Sequence, residues 1–375
     1  MSYKENGEEI IQKIQDECLS CGQCISECQL LQSIGEDVVE IAERLLSPKE
    51  AFSCSLCGLC EGVCPLGLSP RDMFQFMRKK AVAEGTYPIH DYKYMFPDRP
   101  LNVMKAYRQV YGVDYQELNP DREGEVAFFP GCTMLTYNPD LIFTSMDYLR
   151  KEYKDVTLLT DCCGLPLWQL GLKERWENFT QDLKEKLLKL NVKKVILACS
   201  NCYYQLQLLA KELGITLLTI YEALEDSEAF NTPIMKEKIL TVHDSCPDRF
   251  QGIFAKQTRQ ALEKKGYQVV EMEHHHEKAL CCGSGGQVTH AAPSLAQELV
   301  ETRLGEVEET NAQILTAYCL GCVLNLSKNQ DSIPVQHVLN LLLDFEQEYV
   351  GLKKRTQTLF DGPEGEKLWE KVMQD

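Results

Sequence analysis

The chain has 375 residues, of which 44% are hydrophobic, and its formal net charge is −17. This length is typical of two or three domains, and the negative charge disfavours a nucleic-acid partner. The sequence contains no run of 18 apolar residues, so it predicts no membrane-spanning helix of its own. It opens without an apolar signal segment and is rich in thiols, and both features predict a cytoplasmic protein.

Residues 1–17 predict a helix, because Ile10, Ile11 and Ile14 recur at helical spacing. Two cysteine runs follow, both spaced C-x2-C-x2-C-x3-C: Cys18, Cys21, Cys24, Cys28 and then Cys54, Cys57, Cys60, Cys64. Bacterial ferredoxins use this spacing to bind [4Fe–4S] clusters. We therefore predict a helical N-terminal domain, residues 1–84, that binds two cubane [4Fe–4S] clusters.

The two runs can share their clusters in two ways. In two-cluster ferredoxins the fourth cysteine of each run ligates the other cluster, which would place Cys64 with the first run and Cys28 with the second. The alternative is that each run serves its own cluster. Around the second run, residues 38–46 are amphipathic and residues 70–83 begin with a proline after a serine, so both segments predict helices.

The pattern of apolar and polar residues changes after the second cysteine run. Residues 85–124 have weak periodicity, and we interpret them as a connector between domains. From residue 125 onward, short apolar runs alternate with helical patterns, the clearest being 174–190. The predicted strands are 126–129, 156–159, 194–198, 239–242, 269–272 and 313–317. This alternation is typical of βαβ units, so we predict an α/β fold with mainly parallel strands.

The remaining ten cysteines form one arrangement twice: a single cysteine, then Cys-Cys-Gly, then C-x2-C. The first copy contains Cys132, Cys162, Cys163, Cys199 and Cys202, and the second contains Cys246, Cys281, Cys282, Cys319 and Cys322. Corresponding cysteines lie at nearly constant offsets, from 132 to 246 and from 199 to 319, which indicates two equivalent halves. Each set lies at predicted strand ends, where open α/β sheets bind ligands. We therefore expect the two sets to face each other.

Other uses of cysteine fit this pattern poorly. Disulfide frameworks belong to small secreted domains, whereas this chain is long. Structural zinc favours C-x2-C pairs that lie a dozen or more residues apart, whereas each N-terminal run is compact. Every cysteine of the chain belongs to one of the four sets, which favours iron–sulfur chemistry and electron transfer.

The duplicated Cys…Cys-Cys-Gly…C-x2-C set resembles the cysteine-rich CCG domain. With the ferredoxin runs, the chain resembles the fused iron–sulfur subunit of heterodisulfide-reductase-type enzymes, and it is similar to iron–sulfur subunits of glycolate, lactate and anaerobic glycerol-3-phosphate oxidation. The resemblance implies one noncubane [4Fe–4S] cluster on each five-cysteine set, besides the two cubanes. We place the first CCG repeat at 125–235, the second at 236–350 and a C-terminal tail at 351–375.

Four further residues are candidates for the site. Gly164 and Gly283 follow the cysteine pairs, and they either let backbone amides approach a cluster or provide a turn with positive φ. His243, with its neighbour Asp244, lies just before the second copy's first cysteine and is the candidate proton relay, since reducing a disulfide consumes protons. Residues 274–276 are all histidine, and we interpret them as a solvated loop rather than a metal site.

The resemblance implies an oxidoreductase subunit that passes electrons from a flavoprotein, through two cubanes, to noncubane clusters that reduce a disulfide or similar acceptor. The partner would be an FAD-containing dehydrogenase, an electron-transfer flavoprotein or a bifurcating subunit, since the sequence has no G-x-G-x-x-G fingerprint. One alternative is a relay to quinone or to a partner on the inner face of the membrane. Another is a non-enzymatic scaffold or redox sensor, against which the complete cysteine sets argue. Low-potential clusters also suit an anaerobic host.

Overall fold

The computed structural model describes residues 7–233, 238–328, 330 and 332–374, without the side chain of Lys353. It consists of N-terminal helices, a connector and two four-stranded parallel sheets flanked by helices. The predicted fold class, a helical region followed by a duplicated α/β unit, is confirmed. The limit predicted between the repeats, at 235 and 236, lies outside the described residues, as do residues 1–6 of the predicted first helix.

Short helices surround the two ferredoxin-type runs. They are Gly7–Glu17, Gln23–Ser26, Gln29–Ile34, Val38–Arg44, Pro48–Ser53, Leu59–Gly62 and Pro70–Ala83. Local capping sets their starts: Asp37 and Glu40 form a capping box. The predicted start at Pro70 is confirmed, because the Ser69 hydroxyl accepts a hydrogen bond from the Asp72 amide at 3.2 Å.

The connector contains more regular structure than its weak periodicity predicted. An α-helix spans Val103–Val110, and 3₁₀ turns span Ile89–Met95 and Gln116–Leu118. The helix begins where the Asn102 side chain accepts a hydrogen bond from the Lys105 amide at 3.0 Å.

The two sheets have the same topology. The strands are β1 Val126–Phe129, β2 Val156–Leu158, β3 Lys194–Leu197, β4 Thr216–Thr219, β5 Ile239–His243, β6 Gln268–Val269, β7 Ile314–Ala317 and β8 Val335–His337. The strand order is β2-β1-β3-β4 in the first sheet and β6-β5-β7-β8 in the second, with every pair parallel. The predicted duplication is thus a duplication of topology. Sequence analysis missed β4 and β8 and placed β6 at 269–272, one residue late and two residues too long.

Helices cover the faces of both sheets. In the first repeat they are Cys132–Tyr137, Pro139–Glu152, Leu165–Gln169, Lys173–Lys189, Ser200–Leu213, Ile220–Ala223 and Glu228–Asn231. In the second they are Ile253–Lys265, Val288–Ala291, Pro293–Glu308, Leu320–Leu326 and Val338–Leu342, with 3₁₀ turns at Cys246–Asp248, His276–Lys278 and Gly285–Gln287. The clearest helix predicted, 174–190, agrees with Lys173–Lys189 within one residue at each end.

The first sheet joins the N-terminal helices to the second repeat through its two faces. Phe128 and Ile196 point to one face, into a core shared with the second repeat. Phe129 and Leu197 point to the other, into a core shared with the ferredoxin-type helices. Because neighbouring side chains of a strand alternate between faces, one short strand contributes to both cores.

Two helices, Val350–Gln357 and Gly362–Met373, occupy the region interpreted as a tail. The Trp369 ring of the last helix lies 5.5 Å from the ring of Tyr94 in the connector, measured between centroids. Among the described residues, we find no helix that is both long and apolar enough to cross a membrane.

Candidate iron–sulfur sites

The ferredoxin-type cysteines form two groups. Cys18, Cys21, Cys24 and Cys64 line one small surface pocket together. Burial, followed by the neighbouring charges of Cys18 and Cys64, raises the pKa of Cys24 to about 11. The structure therefore brings the fourth cysteine of the second run to the first run, which is the crossed arrangement.

The second group is more deeply buried. Burial raises the pKa of the Cys28 thiol to about 12, and the nearest charges that add to this increase are those of Cys57 and Cys54. Cys60 likewise has Cys28 and Cys57 as its nearest thiol neighbours. Cys28 thus lies with the second run, and the two crossed groups are the ligand sets that we propose for the two cubanes.

The first five-cysteine set lies at the carboxyl ends of strands β1 and β3, which are neighbours in the sheet. Cys132 begins the helix after β1, and Cys199 is the N-cap of the helix after β3. Contacts run from Cys132 to Cys162, from there to Cys163, and from Cys163 to Cys202, which also contacts Cys199. The fold therefore gathers all five thiols into one cluster.

The second set repeats this arrangement at β5 and β7. Cys319 is the N-cap of the helix after β7 and contacts Cys322. The Cys322 thiol lies 3.2 Å from the Cys282 thiol, which contacts Cys281 in turn. Burial, with the charges of Cys281 and Cys282, raises the pKa of Cys246 well above its ordinary value.

Two contacts connect these groups to each other. The Cys199 thiol of the first repeat contacts the Cys319 thiol of the second. The Cys57 thiol of the ferredoxin-type region contacts Cys281. The prediction that the two repeat sets face each other is confirmed for the thiols, and the second repeat is the one that meets the ferredoxin-type region.

A cavity of about 490 Å³ lies between the two repeats. Thiols of both sets line it: Cys132, Cys162, Cys163, Cys199, Cys202, Cys246, Cys282, Cys319 and Cys322. Asn201 lines it as well, and its side-chain amide donates to the Cys319 thiol at 3.6 Å. Phe250, which is 51% exposed and lies under the Arg71 guanidinium, lines the cavity as well.

Glycines allow the backbone to approach these thiols. A Cβ atom on Gly131, whose φ is +92°, would lie 3.0 Å from Cys199 Cβ and 3.2 Å from Cys202 Sγ. Gly164 and Gly283 have φ of +78° and +68°, so both provide the predicted turn with positive φ. The Gly283 amide also donates to the Cys281 thiol at 3.3 Å, so the two roles considered for this glycine coexist.

The thiol sets suit iron–sulfur clusters better than zinc. A structural zinc ion takes four ligands, whereas each repeat gathers five thiols. Buried thiols with raised pKa, such as Cys246, become thiolates when a metal cation compensates their charge. Clustered soft thiolates of this kind select iron–sulfur clusters. The residues present therefore fit the groups that the sequence implies.

His243 lies at the end of β5, beside Cys282 and Cys322. Burial, with the charge of Arg303, lowers its pKa to about 3, so the imidazole is neutral at neutral pH. Its Nδ1 accepts from Arg303 Nε at 3.1 Å, which leaves the ring hydrogen on Nε2. A neutral histidine in this position is suited to donating a hydrogen bond to a thiolate.

Asp244 is held by an ion pair. Its carboxylate accepts from both terminal nitrogens of Arg259, at 2.7 and 2.9 Å, and from the His276 amide at 2.6 Å. Although burial opposes it, Arg259 keeps the pKa of the Asp244 carboxyl below its usual value. These contacts favour a positioning role for Asp244 over proton transfer.

The histidine run belongs to a polar surface of the second repeat. The rings of His275 and His276 meet at 2.6 Å between their Nδ1 atoms, close to the Glu271 carboxylate. Glu271 forms an ion pair with Arg259 at 2.6 Å, so a cation lies next to the two histidines and Glu271. His274 lies between Glu27 and Glu306. These contacts agree with the interpretation of the run as a surface loop.

Sequence reasoning missed a side chain that connects the ferredoxin-type region to the second repeat. Arg249 Nε donates to the Cys57 carbonyl at 3.1 Å, and its Nη2 donates to the Ala279 carbonyl at 2.8 Å. No sequence signal could have found it, since its acceptors are backbone groups 192 and 30 residues away.

Fold and thiol sets define a multicluster iron–sulfur protein of the electron-transfer, oxidoreductase class. Residues 17–69 match the model of the 4Fe-4S dicluster domain, and residues 126–207 and 240–327 match that of the cysteine-rich CCG domain. The chain therefore contains a 4Fe-4S dicluster domain followed by two copies of the cysteine-rich CCG domain, as its motifs predicted.

Curated relatives extend over most of the chain. The chain is 26% identical to one subunit of the dihydromethanophenazine:CoB–CoM heterodisulfide reductase from Methanosarcina barkeri, over 90% of this chain and 94% of that protein. It is 25% identical to one subunit of the fumarate reductase (CoM/CoB) from Methanothermobacter marburgensis, over 87% and 71%. It is 29% identical to EtfAB:quinone oxidoreductase from Syntrophomonas wolfei, over only 33% of this chain and 18% of that protein. The chain is thus similar to components of several reductases.

Proposed function

We propose that this chain is the substrate-reducing iron–sulfur subunit of a heterodisulfide-reductase-like oxidoreductase. The observation that carries the proposal is that the two five-thiol sets meet at one cavity, which nine of their ten thiols line, and touch through Cys199 and Cys319. The clusters, when bound, supply one-electron carriers: two cubanes on the ferredoxin-type groups and two noncubanes on the repeat sets. Reduction of a disulfide takes up two electrons and two protons and yields two thiols, so two equivalent sets at one cavity suit it.

The chain's own side chains then bind and orient the acceptor. Asn201 already donates toward the Cys319 thiol, and Ser284 and Gln287 line the same cavity with further polar groups. Phe250 and Arg71 line it too. His243 is neutral, carries its hydrogen on Nε2 and lies beside the Cys282 and Cys322 thiols, so we assign it to stabilising thiolates there.

Electrons would enter at the surface of the ferredoxin-type region. Cys21 is the one exposed cysteine of the eighteen, and it belongs to the first group. Leu19 and Leu66 line the same pocket with 66% and 44% of their surfaces exposed. We propose that a cytoplasmic flavoprotein docks on this apolar surface. Adding a purified electron-transfer flavoprotein should protect Leu19 and Leu66 from hydrogen exchange. Protection centred instead on Leu188, which is exposed on the helix Lys173–Lys189, would place the entry elsewhere.

A substitution that fills the cavity tests the reaction. Gly321 lines the cavity, and a Cβ there would lie 3.6 Å from the Cys319 thiol, whereas Gly305 has open space around its Cβ position. We expect Gly321→Leu to slow reoxidation of the dithionite-reduced protein by cystamine or glutathione disulfide several-fold. Reoxidation by ferricyanide, which needs no cavity, should stay unchanged, and the matched Gly305→Leu variant should behave as wild type.

The second candidate function is an electron relay to quinone. The partial similarity to EtfAB:quinone oxidoreductase favours it, and no cavity substrate would then be reduced. In the same stopped-flow assay, fast reoxidation by a short-chain menaquinone analogue, with no response to any disulfide, would replace the disulfide proposal by the relay. Biological thiols can also be added to the oxidised protein. If none of them changes its paramagnetic resonance spectrum, the result favours the relay over disulfide reduction.

A further inference from the structure

We propose that Arg78 is a positioning residue that supplies the counter-charge of the buried cubane and fixes it against both CCG repeats. Arg78 lies on the helix Pro70–Ala83, and its side chain is completely buried. The inference rests on the proposed ligand set of the second group, Cys54, Cys57, Cys60 and Cys28, and not on the identity of the acceptor.

The guanidinium caps the helix that leads into this ligand set. Its Nε donates to the Ala51 carbonyl at 2.8 Å, and its Nη2 donates to the carbonyls of Phe52, at 3.2 Å, and Cys54. The helix Pro48–Ser53 ends here, and the last carbonyls of a helix have no partner within it. Arg78 therefore fixes the backbone from which the first thiol of the group projects.

The same guanidinium reaches both repeats. Its Nη1 donates to the Gln169 carbonyl of the first repeat and to the Gly286 carbonyl of the second, each at 2.9 Å. Gly286 packs directly on the ligand loop, because a Cβ there would lie 2.5 Å from the Cys54 carbonyl oxygen and 2.7 Å from the Ser55 carbonyl carbon. One side chain thus joins the ferredoxin-type region to the turn that follows Cys281 and Cys282.

The positive charge of Arg78 has no carboxylate partner among the described residues. All its acceptors are neutral carbonyls, whereas Arg71, on the same helix, pairs with Glu61 at 2.9 Å and Asp72 at 3.0 Å. A buried charge without a counter-charge is strongly unfavourable. Among the groups that can supply negative charge, Cys54 acts most strongly on Arg78, and its carbonyl also accepts a hydrogen bond from Arg78. A thiolate-ligated cluster provides that counter-charge.

The buried charge of Arg78 affects the direction of electron flow between the two cubanes. A fixed cation in a water-poor site stabilises the more negative, reduced form of a nearby cluster. The first group, with the exposed Cys21, has no comparable buried cation among its described neighbours in the surface pocket. Arg78 therefore raises the potential of the inner cubane relative to the outer one, so that an electron arriving at the surface is drawn inward.

Three variants separate charge from packing. Arg78→Gln removes the charge but keeps hydrogen-bond donors, Arg78→Lys keeps the charge, and Lys80→Gln removes an exposed charge from the same helix. In a mediated redox titration followed by paramagnetic resonance, R78Q should lower the midpoint of one cubane and leave the other unchanged. R78K should stay close to wild type at both, and K80Q should move neither.

Each result decides between the alternatives. Intact clusters with unchanged midpoints in R78Q would overturn the charge role, as would equal shifts of both cubanes. If R78Q loses the inner cubane, R78K decides: a retained cubane at the wild-type midpoint supports the inference, and its loss or an equally large shift overturns it. Wild-type protein without two cubane signals would instead overturn the proposed ligand sets.

Discussion

Gly283 allows the sharpest test of how the second thiol set is built. Its φ of +68° is a conformation that costs an L-residue about 1–2 kcal/mol. A Cβ there would also collide with the Ala296 carbonyl oxygen, on the helix Pro293–Glu308, and overpacking against rigid backbone costs about 1–3 kcal/mol. We therefore expect Gly283→Ala to cost about 2–5 kcal/mol in total and to deplete the second repeat's cluster.

Two other glycines calibrate this effect. Gly214 has φ of +65° and no atom within 4 Å of its Cβ position. Gly214→Ala should therefore show only the cost of placing an L-residue at positive φ, without any steric clash. Gly164, at φ of +78°, faces the Phe179 ring at 3.0 Å, which can turn aside, so Gly164→Ala should lie between the two. Because a metal-binding, multidomain chain does not unfold in two states, the assay compares urea midpoints and iron content. Equal midpoints and equal iron for G283A and G214A would refute the reasoning.

Three further predictions concern cluster content and pH. Four [4Fe–4S] clusters amount to about sixteen irons per chain. If iron analysis after anaerobic purification gives about eight irons per chain, the clusters proposed for the two repeats are absent. Cys163→Ala and Cys282→Ala should each abolish one repeat cluster in paramagnetic resonance spectra while the ferredoxin-type signals persist, and loss of all signals would mean that the regions fold only together. Burial lowers the pKa of His337 to about 4, below the ordinary value of about 6.5. Between these values the unfolded chain binds a proton that the folded chain does not, so stability should fall as pH drops from 6.5 to 4. His337→Asn should flatten that dependence of the urea midpoint, and an unchanged slope would contradict it.

The repeated cysteine patterns predicted how the thiols group, even where the grouped residues, such as Cys18 and Cys64, lie far apart along the chain. Strand prediction succeeded where apolar runs were buried, as at Val126–Phe129, and failed at Thr216–Thr219 and Val335–His337. Those two strands lie at the outer edges of their sheets. The first begins at an exposed threonine, and the second is only three residues long, so neither shows a clear period.

The contacts of the ferredoxin-type region with the two repeats were beyond the reach of the sequence. Arg78 looks like an ordinary polar position on an amphipathic helix, and only tertiary packing shows that its donors end on carbonyls from three parts of the chain. The contact of Cys57 with Cys281 likewise depends on how the ferredoxin-type region sits on the second repeat. Periodicity and spacing describe neighbours along the chain, whereas the acceptors of Arg78 in the two repeats lie 91 and 208 residues away.

The two repeats are equivalent in sequence and topology but not in position. Cys281 of the second repeat meets Cys57, whereas the first repeat touches the other thiol groups through Cys199 and Cys319. Thiol contacts run from the buried Cys57 group to the second repeat and from there to the first, and the Cys21 group lies at the surface. The second repeat is therefore in contact with the thiols of the ferredoxin-type region, whereas the first repeat is one step farther from them. Because the cavity lies where the halves meet, an acceptor bound there would contact both.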